Sequence, residues 1–277
     1  MLLIFGFGYT AARLAAAWQA ERGPGSVVGT TRDGREGSLR FDDEAAVRAA
    51  LARASHVLSS VPPDGGVDPV LARYGDALGA RWLGYLSSTG VYGDARGAWV
   101  DEGAPTGGGR RGARAAADAA WVALGARVFR LPGIYGPGRS PLDRVRDGRA
   151  HRVGLPDQVF SRVHVDDIVA GVLVARSAPA GAYNLADDLP CAQDDVVGYA
   201  AALLGLPPPP LVSLDSLSPM ARGFYAENRR VANGKARRVL GWAPAYPDYR
   251  FGLRALKAMT SPAAVSAAPP AASADHR

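Results

Sequence analysis

The sequence predicts an α/β fold in which helices cover both faces of a doubly wound parallel sheet. Short apolar runs rich in β-branched residues alternate along the chain with longer segments whose apolar residues recur at helical spacing. Glycine and proline clusters, such as Gly23-Pro24-Gly25, separate the two kinds of segment. This alternation is typical of parallel sheets, because each parallel pair of strands needs a helix-length crossover.

The alternation begins at the first residue of the chain. We predict a strand at 1–5, a helix at 12–21 and a second strand at 26–31, which together form a βαβ unit. Further strands are predicted at 38–41, 56–61, 82–87, 126–131 and 182–186. Further helices are predicted at 44–54, 69–78, 112–124, 166–176 and 193–204.

The regular pattern loosens after Pro132, which indicates a second structural unit. We expect a main domain over residues 1–180 and a smaller C-terminal substrate lobe over 181–260, with contributions from 133–165. Residues 261–277 combine alanine and proline with no aromatic residue. Such a segment cannot bury enough apolar surface to offset the entropy of ordering, so we expect a disordered tail there.

The composition is that of a globular protein, with 48% hydrophobic and 21% charged residues. Cys191 stands alone, which excludes a disulfide within the chain and fits a reducing, cytoplasmic compartment. The apolar run over 168–175 is far too short to span a membrane, so we expect no membrane partner.

The net charge of +6 raises the question of a nucleic-acid partner. All of the 32 basic residues except Lys235 and Lys257 are arginine, which indicates a coding bias. The arginines are scattered without interleaved aromatic residues, so we expect no nucleic-acid partner. The expected partner is a small-molecule substrate, bound by a monomer or a homodimer.

A glycine-rich turn, Gly6-x-Gly8-x-x-Ala11, joins the first strand to the first helix. Gly6 allows a sharp turn, Gly8 lets the backbone approach a pyrophosphate, and Ala11 keeps the helix close to the strand. Free N–H groups at the helix start, at Tyr9 and Thr10, are then expected to bind the phosphates. In this context the turn predicts a Rossmann domain that binds a dinucleotide, and a glycine turn without a ligand is the alternative.

The second predicted strand ends at Thr31-Arg32, where an NAD-selective site would place an acidic residue. A hydroxyl and a guanidinium suit the 2′-phosphate of NADP, so we expect NADP in preference to NAD; a solvated Arg32 is the alternative. Asp42 could accept a hydrogen bond from the adenine amino group or could cap the following helix. Val61 and Pro62, at the end of the fourth strand, are expected to border the cofactor.

Six further motifs follow in order along the chain: residues 87–93 (SSTGVYG), 129–139 (FRLPGIYGPGR), 162–168 (RVHVDDI), 183–188 (YNLADD), 233–235 (NGK) and 240–242 (LGW). In this order and at this spacing they resemble those of the extended short-chain dehydrogenase/reductases, the NAD-dependent epimerase/dehydratase family. The resemblance spans about residues 1–257. The glycine turn is similar to that of atypical members of this family.

The resemblance implies that Ser88 is the catalytic hydroxyl, which binds the substrate oxygen where charge develops. The family follows it with a Tyr-x-x-x-Lys motif that this chain lacks. Aligning Asp118 with the acidic residue that often closes this motif places Arg114 at the Lys position and Arg110 at the Tyr position. Arg114 could hold the nicotinamide ribose, whereas Arg110 cannot donate a proton. The resemblance also places three residues at the substrate cleft, namely Thr89, Tyr135 and Arg139.

Alternatives stay open for several polar groups. Ser88 could serve only to satisfy local backbone groups, and Arg139 could be an ordinary surface arginine. His164 could face the cleft as a proton donor, and Asp166 is expected to cap the helix behind it. Gly133 stands where sugar-nucleotide enzymes commonly carry Asn, which weakens that substrate class. No spacing of His, Cys and carboxylates predicts a metal site.

We therefore expect an NAD(P)-dependent oxidoreductase or epimerase-like enzyme that acts on a small or sugar-derived carbonyl compound, such as an aldehyde. The alternative is a non-catalytic NADP-binding redox sensor or assembly subunit that has lost the catalytic Tyr. Hydride transfer from the cofactor to a carbonyl would separate the two.

Overall fold

The computed structural model describes residues 1–109 and 111–260, so the expected disordered tail and Arg110 lie outside the described residues. The strands are β1 (Leu2–Phe5), β2 (Val27–Thr31), β3 (Leu39–Arg40), β4 (His56–Ser59), β5 (Trp82–Ser88), β6 (Trp99–Val100), β7 (Arg127–Leu131), β8 (Gly133–Tyr135), β9 (Val159–Phe160), β10 (Arg162–His164), β11 (Gly181–Asn184), β12 (Cys191–Ala192) and β13 (Arg230–Val231). The α-helices are α1 (Tyr9–Arg22), α2 (Glu44–Arg53), α3 (Pro69–Tyr74), α4 (Gly112–Ala123), α5 (Pro141–Arg146), α6 (Val165–Val174), α7 (Gln193–Leu204), α8 (Pro219–Tyr225) and α9 (Tyr249–Thr260).

Seven of the strands form one parallel sheet in the order β3-β2-β1-β4-β5-β7-β11. The chain runs outward from β1 to β3, returns to β4 on the other side of β1, and continues in the opposite direction. The order reverses between β1 and β4, where Phe5 pairs with Ser59. Such a switch point opens a crevice at the carboxyl ends of the strands. The predicted doubly wound α/β fold is confirmed.

Helices cover both faces of the main sheet, as its continuous apolar strands require. On one face α1 and α6 bury Leu14, Trp18 and Ile168. On the other face α2, α3 and α4 enclose a core that includes Tyr74 and Trp121. No described helix combines the length with the apolar composition that a membrane span needs.

A smaller core forms where α5, α7 and α9 pack together around residues such as Val196 and Leu253. Its members come from residues 135–150 and from residues after 190. β11 differs from the expectation, because it is the outer strand of the main sheet. The sheet therefore extends past the predicted domain boundary at residue 180.

Two helix caps differ from the predicted ones. The cap of α2 is Asp43, whose carboxylate accepts from the Ala46 N–H at 3.1 Å, so the capping alternative for Asp42 is wrong. The cap of α6 is His164, whose Nδ1 accepts from the Asp166 N–H at 3.3 Å, so the cap predicted at Asp166 is wrong. Each observed cap lies one or two residues before the predicted one, a difference that sequence pattern alone does not resolve.

Candidate active site

A cleft of about 1020 Å³ opens at the carboxyl edge of the main sheet. Its walls come from the first turn of α1, the end of β5, the start of α4 and segments of the C-terminal part, including α8. The predicted site residues in its walls are Gly8, Tyr9, Thr10, Ala11, Ser88, Thr89, Arg114, Tyr135 and Arg139. The predicted cofactor residues outside its lining are Gly6, Thr31, Arg32, Asp42, Val61 and Pro62.

The turn after β1 depends on Gly6, which has a positive φ of 81°. A Cβ on Gly6 would lie 2.9 Å from the Val61 Cγ2 atom, so the turn packs directly against the end of the neighbouring segment. The Gly6 N–H donates to the Thr30 hydroxyl at 3.3 Å, and the Ser60 hydroxyl donates to the Gly6 carbonyl. Val61 therefore shapes the glycine turn, while Pro62 beside it is exposed.

Gly8 has a different environment from Gly6. Its backbone is extended, and no atom lies within 4 Å of the position that a Cβ would take. No side chain caps α1, which begins at the next residue, so the first N–H groups of the helix are available to a ligand. Ala11 is 1% exposed and packs in the core between α1 and the sheet. This arrangement is typical of a phosphate-binding helix start.

Phe7, between the two glycines, packs on Gly29 of β2, where an added Cβ would overlap its ring. The Phe7 N–H also donates to the Thr30 carbonyl at 2.9 Å. Phe7 therefore holds the glycine turn against the second strand. Our sequence prediction missed this contact, although a glycine inside an otherwise β-branched strand is a signal of close approach by another group.

The end of β2 carries the residues predicted to select the cofactor. The Thr31 hydroxyl accepts from the Gly34 N–H at 2.9 Å and lies 2.7 Å from the Ser38 hydroxyl, so it holds the following loop together. Arg32 is exposed directly after the strand. Asp42 binds the Arg40 guanidinium through both oxygens, at 3.0 and 2.8 Å, and this hydrogen bonding lowers the pKa of Asp42.

Tyr9 joins the start of α1 to the segment after β8. Its hydroxyl donates to the Pro137 carbonyl at 3.1 Å, and burial raises the pKa of Tyr9. The guanidinium groups of Arg13 and Arg139 lie over its ring, 5.6 and 5.7 Å from the centroid. Arg139, predicted at the substrate cleft, thus lies beside the helix start that is expected to bind the cofactor.

Ser88 and Thr89 follow one another at the carboxyl end of β5. The Ser88 hydroxyl oxygen accepts from the Gly90 N–H at 3.1 Å, which leaves the hydroxyl hydrogen available to donate. Ser88 is half-buried and Thr89 is buried, and both line the cleft. The strand therefore brings both residues to the edge of the sheet, where the resemblance predicted them.

Arg114 lines the cleft but is tied to the sheet. Its guanidinium donates to the Tyr85 hydroxyl at 3.0 Å and lies over the Tyr85 ring. Tyr85 is fully buried on β5, and burial raises its pKa to about 12.

Arg111, the residue before α4, also lines the cleft, and its side chain crosses Gly90 beside Ser88. Sequence reasoning did not single out Arg111.

A buried polar network lies beneath the start of α4. Asp118 on α4 pairs with Arg130 on β7 at 2.7 Å, and Asp118 also accepts from the Ser87 hydroxyl at 2.6 Å. Arg130 continues the network to Tyr92, which in turn donates to Asn184 at 2.7 Å. Burial raises the pKa of Tyr92 to about 12. The signal in the sequence was an arginine inside an apolar strand and an aspartate inside an alanine-rich helix.

Tyr135 and His164 are both buried. Tyr135 is 4% exposed, its hydroxyl packs on Gly252 of α9, and burial raises its pKa. His164 is fully buried and its ring stacks edge-on against Tyr135, so a proton-donating role in the cleft is wrong for it. Burial also lowers the pKa of His164.

The described residues contain no cluster of three or more His, Cys, Asp or Glu side chains that could hold a metal ion. Asp194 and Asp195, adjacent in sequence, do not form a dyad; the Asp194 carboxylate accepts from the Val153 and Gly154 N–H groups. The walls of the cleft carry hydroxyls, guanidinium groups and backbone N–H groups, together with the side chains of Asp143, His151 and Glu227.

The chain matches no family model. A conserved protein of unknown function from Silicibacter pomeroyi is similar over nearly its whole length, with 43% identity and a TM-score of 0.81 across 93% of this chain and 98% of that chain. The chain belongs to the same family as that protein. More distant structures share the fold that the resemblance implies. They include dTDP-glucose 4,6-dehydratase from Bacillus anthracis in complex with NAD (15% identity, 94% and 96% of the two chains, TM-score 0.73) and the human epimerase family protein SDR39U1 with NADPH (16%, 92% and 98%, TM-score 0.72).

Two named proteins match over shorter segments. The 3-diazoavenalumate denitrifying reductase of a Streptomyces species is 34% identical over 145 residues, which is 47% of this chain and 46% of that protein. Protein YeeZ of Escherichia coli K12 is 31% identical over 172 residues, 59% of this chain and 58% of that protein. The chain thus spans about half the length of these two relatives.

Proposed function

We propose that the protein binds NADP(H) in this cleft and uses it to reduce a small carbonyl compound. One observation carries the proposal: the uncapped start of α1 and the Ser88 hydroxyl share a single cleft at the switch point of the sheet. Ligands of open α/β sheets bind at this edge. A cofactor held by α1 would therefore lie beside the hydroxyl that binds the substrate.

The residues present fit a nicotinamide dinucleotide. The space at Gly8 admits a pyrophosphate, and the first N–H groups of α1 would hold it. Arg32 would bind the 2′-phosphate, which favours NADP over NAD. When bound, the cofactor supplies or accepts a hydride. That the distant structures of this fold carry NAD or NADPH supports this class of cofactor, and the named reductase supports an oxidoreductase.

Ser88 would orient the substrate. Because its oxygen already accepts from Gly90, its hydrogen is free to bind the carbonyl oxygen, where negative charge develops during hydride transfer. Thr89 borders the same part of the cleft. The substrate would be a small or sugar-derived carbonyl compound, such as an aldehyde.

The test is an NADPH-oxidation assay with a panel of aldehydes, ketones and sugar nucleotides, combined with calorimetry of NADPH binding. We expect Ser88→Ala to lower kcat/KM roughly 10²-fold without changing the Kd of NADPH. Ser26→Ala is the matched control, because Ser26 lies just before β2 and therefore at the amino edge of the sheet, away from the cleft. Turnover by Ser88→Ala equal to that of the wild type would contradict the assignment of Ser88.

The alternative function is a non-catalytic NADP-binding sensor or assembly subunit. It is favoured by one observation, the lack of any Tyr between Tyr92 and Tyr135 in the sequence, where the family carries its proton donor. Tight NADPH binding with no hydride transfer to any compound of the panel would establish this function instead.

A further inference from the structure

Two of the arginines that the structure describes are buried, Arg130 and Arg162, and each is 6% exposed. Arg130 pairs with the Asp118 carboxylate at 2.7 Å. Arg162, on β10, lines the cleft and forms no ion pair with any described carboxylate. A buried cation is ordinarily paired with an anion, because burial of an unpaired charge is costly. Arg162 is therefore a buried charge in the cleft wall that lacks a counter-ion among the described residues.

Neutral acceptors hold the Arg162 guanidinium in place. It donates to the Phe160 carbonyl at 2.8 Å, to the Cys191 carbonyl at 3.3 Å, to the Cys191 Sγ at 3.1 Å and to the Gln193 Oε1 at 2.9 Å. These contacts orient the guanidinium without neutralising it. Phe160 and Gln193 line the cleft as well, so the guanidinium lies at the cleft wall.

Two titratable side chains lie next to Arg162, and both are mostly uncharged near pH 7. The Asp187 Oδ1 accepts from the Arg162 backbone N–H at 3.4 Å, and burial raises the pKa of Asp187 to about 8. Burial also raises the pKa of the Cys191 thiol to about 11. Neither group therefore balances the positive charge of Arg162 at neutral pH.

The cleft as a whole carries an excess of positive charge. Seven arginines line it, against the two carboxylates of Asp143 and Glu227. Each of these carboxylates already pairs with a guanidinium group, of Arg146 at 3.3 Å and of Arg229 at 2.9 Å. A cleft lined mainly by one sign of charge concentrates ligands of the opposite sign. The charges of the cleft therefore favour an anionic ligand.

The register of the strands relates Arg162 to Ser88. Ser88 pairs with Leu131 at the end of β7, and Arg162 pairs with Gly133 two residues further along the chain. Because neighbouring strands lie about 4.8 Å apart and a strand rises about 3.3 Å per residue, this path separates the two Cα atoms by at most about 16 Å. Since both side chains line the same cleft, one small molecule can bind to both.

Apolar side chains border the guanidinium. The Phe160 ring packs edge-on against Tyr225 of α8, with the centroids 5.6 Å apart, and both residues line the cleft. Val197 of α7 and Met220 of α8 add apolar surface to these walls, and Met220 is 77% exposed. A bound apolar group would cover such a side chain, so these walls suit an anion that is carried on an apolar body.

We propose that Arg162 binds a carboxylate of the substrate, and that the substrate is a carbonyl compound with this carboxylate on an apolar, preferably aromatic, body. This inference rests on the proposed reductase function. One guanidinium matches the single charge of a carboxylate and binds it by charge-assisted hydrogen bonds. Ser88 would bind the carbonyl oxygen at the other end of the same molecule. Arg162 is thus a specificity-determining residue that takes no part in hydride transfer.

The first test compares 4-carboxybenzaldehyde with its methyl ester, methyl 4-formylbenzoate, in the NADPH-oxidation assay. The two compounds share the ring and the aldehyde and differ in charge. We expect the kcat/KM of the wild type to be at least about tenfold higher for the acid than for the ester, as a hydrogen bond to a charged group predicts. An acid that is reduced no better than the ester overturns the inference and leaves the reductase function standing.

Variants of Arg162 show whether this residue causes the preference. We expect the acid-to-ester ratio of kcat/KM to fall to about one in Arg162→Met and to be kept in part by Arg162→Lys, which retains the charge. Arg222→Met is the matched control, because Arg222 is an exposed arginine of α8 outside the cleft lining. A structural role would lower kcat/KM for both compounds equally, so an unchanged ratio in Arg162→Met overturns the inference.

A binding measurement tests the site without turnover. Benzoate and its neutral analogue benzamide are titrated by calorimetry into the protein, with and without NADP⁺. We expect the wild type to bind benzoate at least about tenfold more tightly than benzamide, and Arg162→Met to bind the two equally. Equal affinities in the wild type overturn the inference without any variant.

A titration with UDP distinguishes a carboxylate from a diphosphate. Arg162-dependent binding of UDP that displaces benzoate and is tighter than benzoate binding would overturn the carboxylate class. Arg162-dependent binding of benzoate in a protein that reduces no carbonyl compound supports the carboxylate site while contradicting the reductase function.

Discussion

The starts of α1 and α4 both border the cleft, and neither has a side-chain cap. The cap position of α1 is Gly8, so this end of the helix offers the cleft the N–H groups of its first turn beside the Tyr9 side chain. The start of α4 carries Arg111 at its cap position and Arg114 in its first turn, above the buried pair of Asp118 and Arg130. The comparison shows that one helix start offers the cleft backbone N–H groups, whereas the other offers guanidinium groups backed by a buried ion pair.

The largest expected effect is that of breaking the buried ion pair between Asp118 and Arg130. Arg130→Met leaves the Asp118 carboxylate buried without its cation, so we expect the free energy of unfolding to fall by about 3–5 kcal/mol. Urea denaturation measures it. Arg40→Met, which breaks the exposed pair with Asp42, is the control and should change stability little. A small loss in the free energy of unfolding of Arg130→Met would show that other contacts hold α4 in place.

Asp187 offers a contrast with Asp118, because this buried carboxyl group forms no ion pair among the described residues. Asp187 is 2% exposed, one of its oxygens has no partner among the described residues, and burial raises its pKa to about 8. The folded protein thus keeps this proton up to about pH 8, while the unfolded chain releases it near pH 4. The free energy of unfolding therefore falls as the pH rises between these values.

Asp187→Asn is neutral at every pH and should remove this fall. We expect the variant to be more stable than the wild type by only about 1 kcal/mol near pH 5 and by several kcal/mol at about pH 8.5. Urea denaturation at both pH values checks this, with Asp64→Asn as the exposed control. A stability difference that does not change with pH would contradict the raised pKa of Asp187.

The glycines before α1 offer a way to separate binding from stability. Gly6→Ala places a side chain at a φ of 81° and against Val61, so we expect a loss of about 1–3 kcal/mol in the free energy of unfolding. Gly8→Ala meets no protein atom and should leave stability unchanged, while NADPH affinity falls by about tenfold because the Cβ occupies the phosphate space. Unchanged affinity in Gly8→Ala would place the pyrophosphate elsewhere.

The smallest expected effect concerns the choice of cofactor. Arg32→Ala should lower NADPH affinity by about tenfold, since a hydrogen bond to a charged group contributes about 1.5–3 kcal/mol, and should leave NADH affinity unchanged. Calorimetry with both cofactors measures this. Equal losses for NADPH and NADH would show that Arg32 binds a group common to both.

The sequence predicts the fold well where the structure depends on local patterns. The main strands and helices, from β1 to α7, lie within a few residues of their predicted positions, because burial on both faces leaves apolar runs of clear length. The glycine turn was recognised because its residues are contiguous. The short strands of the second half, such as β9 and β12, escaped prediction because two-residue pairings leave no periodic signal.

The lining of the cleft could be predicted only in part. Ser88, which the family resemblance singles out, lines the cleft at the end of β5. Arg111 also lines the cleft and was not predicted there, because its position depends on Gly90 and on how α4 packs, neither of which spacing along the chain reveals. His164 was misplaced for a similar reason, since a polar side chain before a helix can either cap the helix or face a cleft.

The contact between Phe7 and Gly29 has a consequence for evolution. Since no Cβ fits at position 29 while a phenyl ring lies over it, a change at either residue constrains the other. Related proteins that carry a larger residue at position 29 should have lost the aromatic ring at position 7, and those that keep the ring should keep the glycine. Within this family the pair should therefore vary together, as a mark of the turn that holds α1 against the second strand.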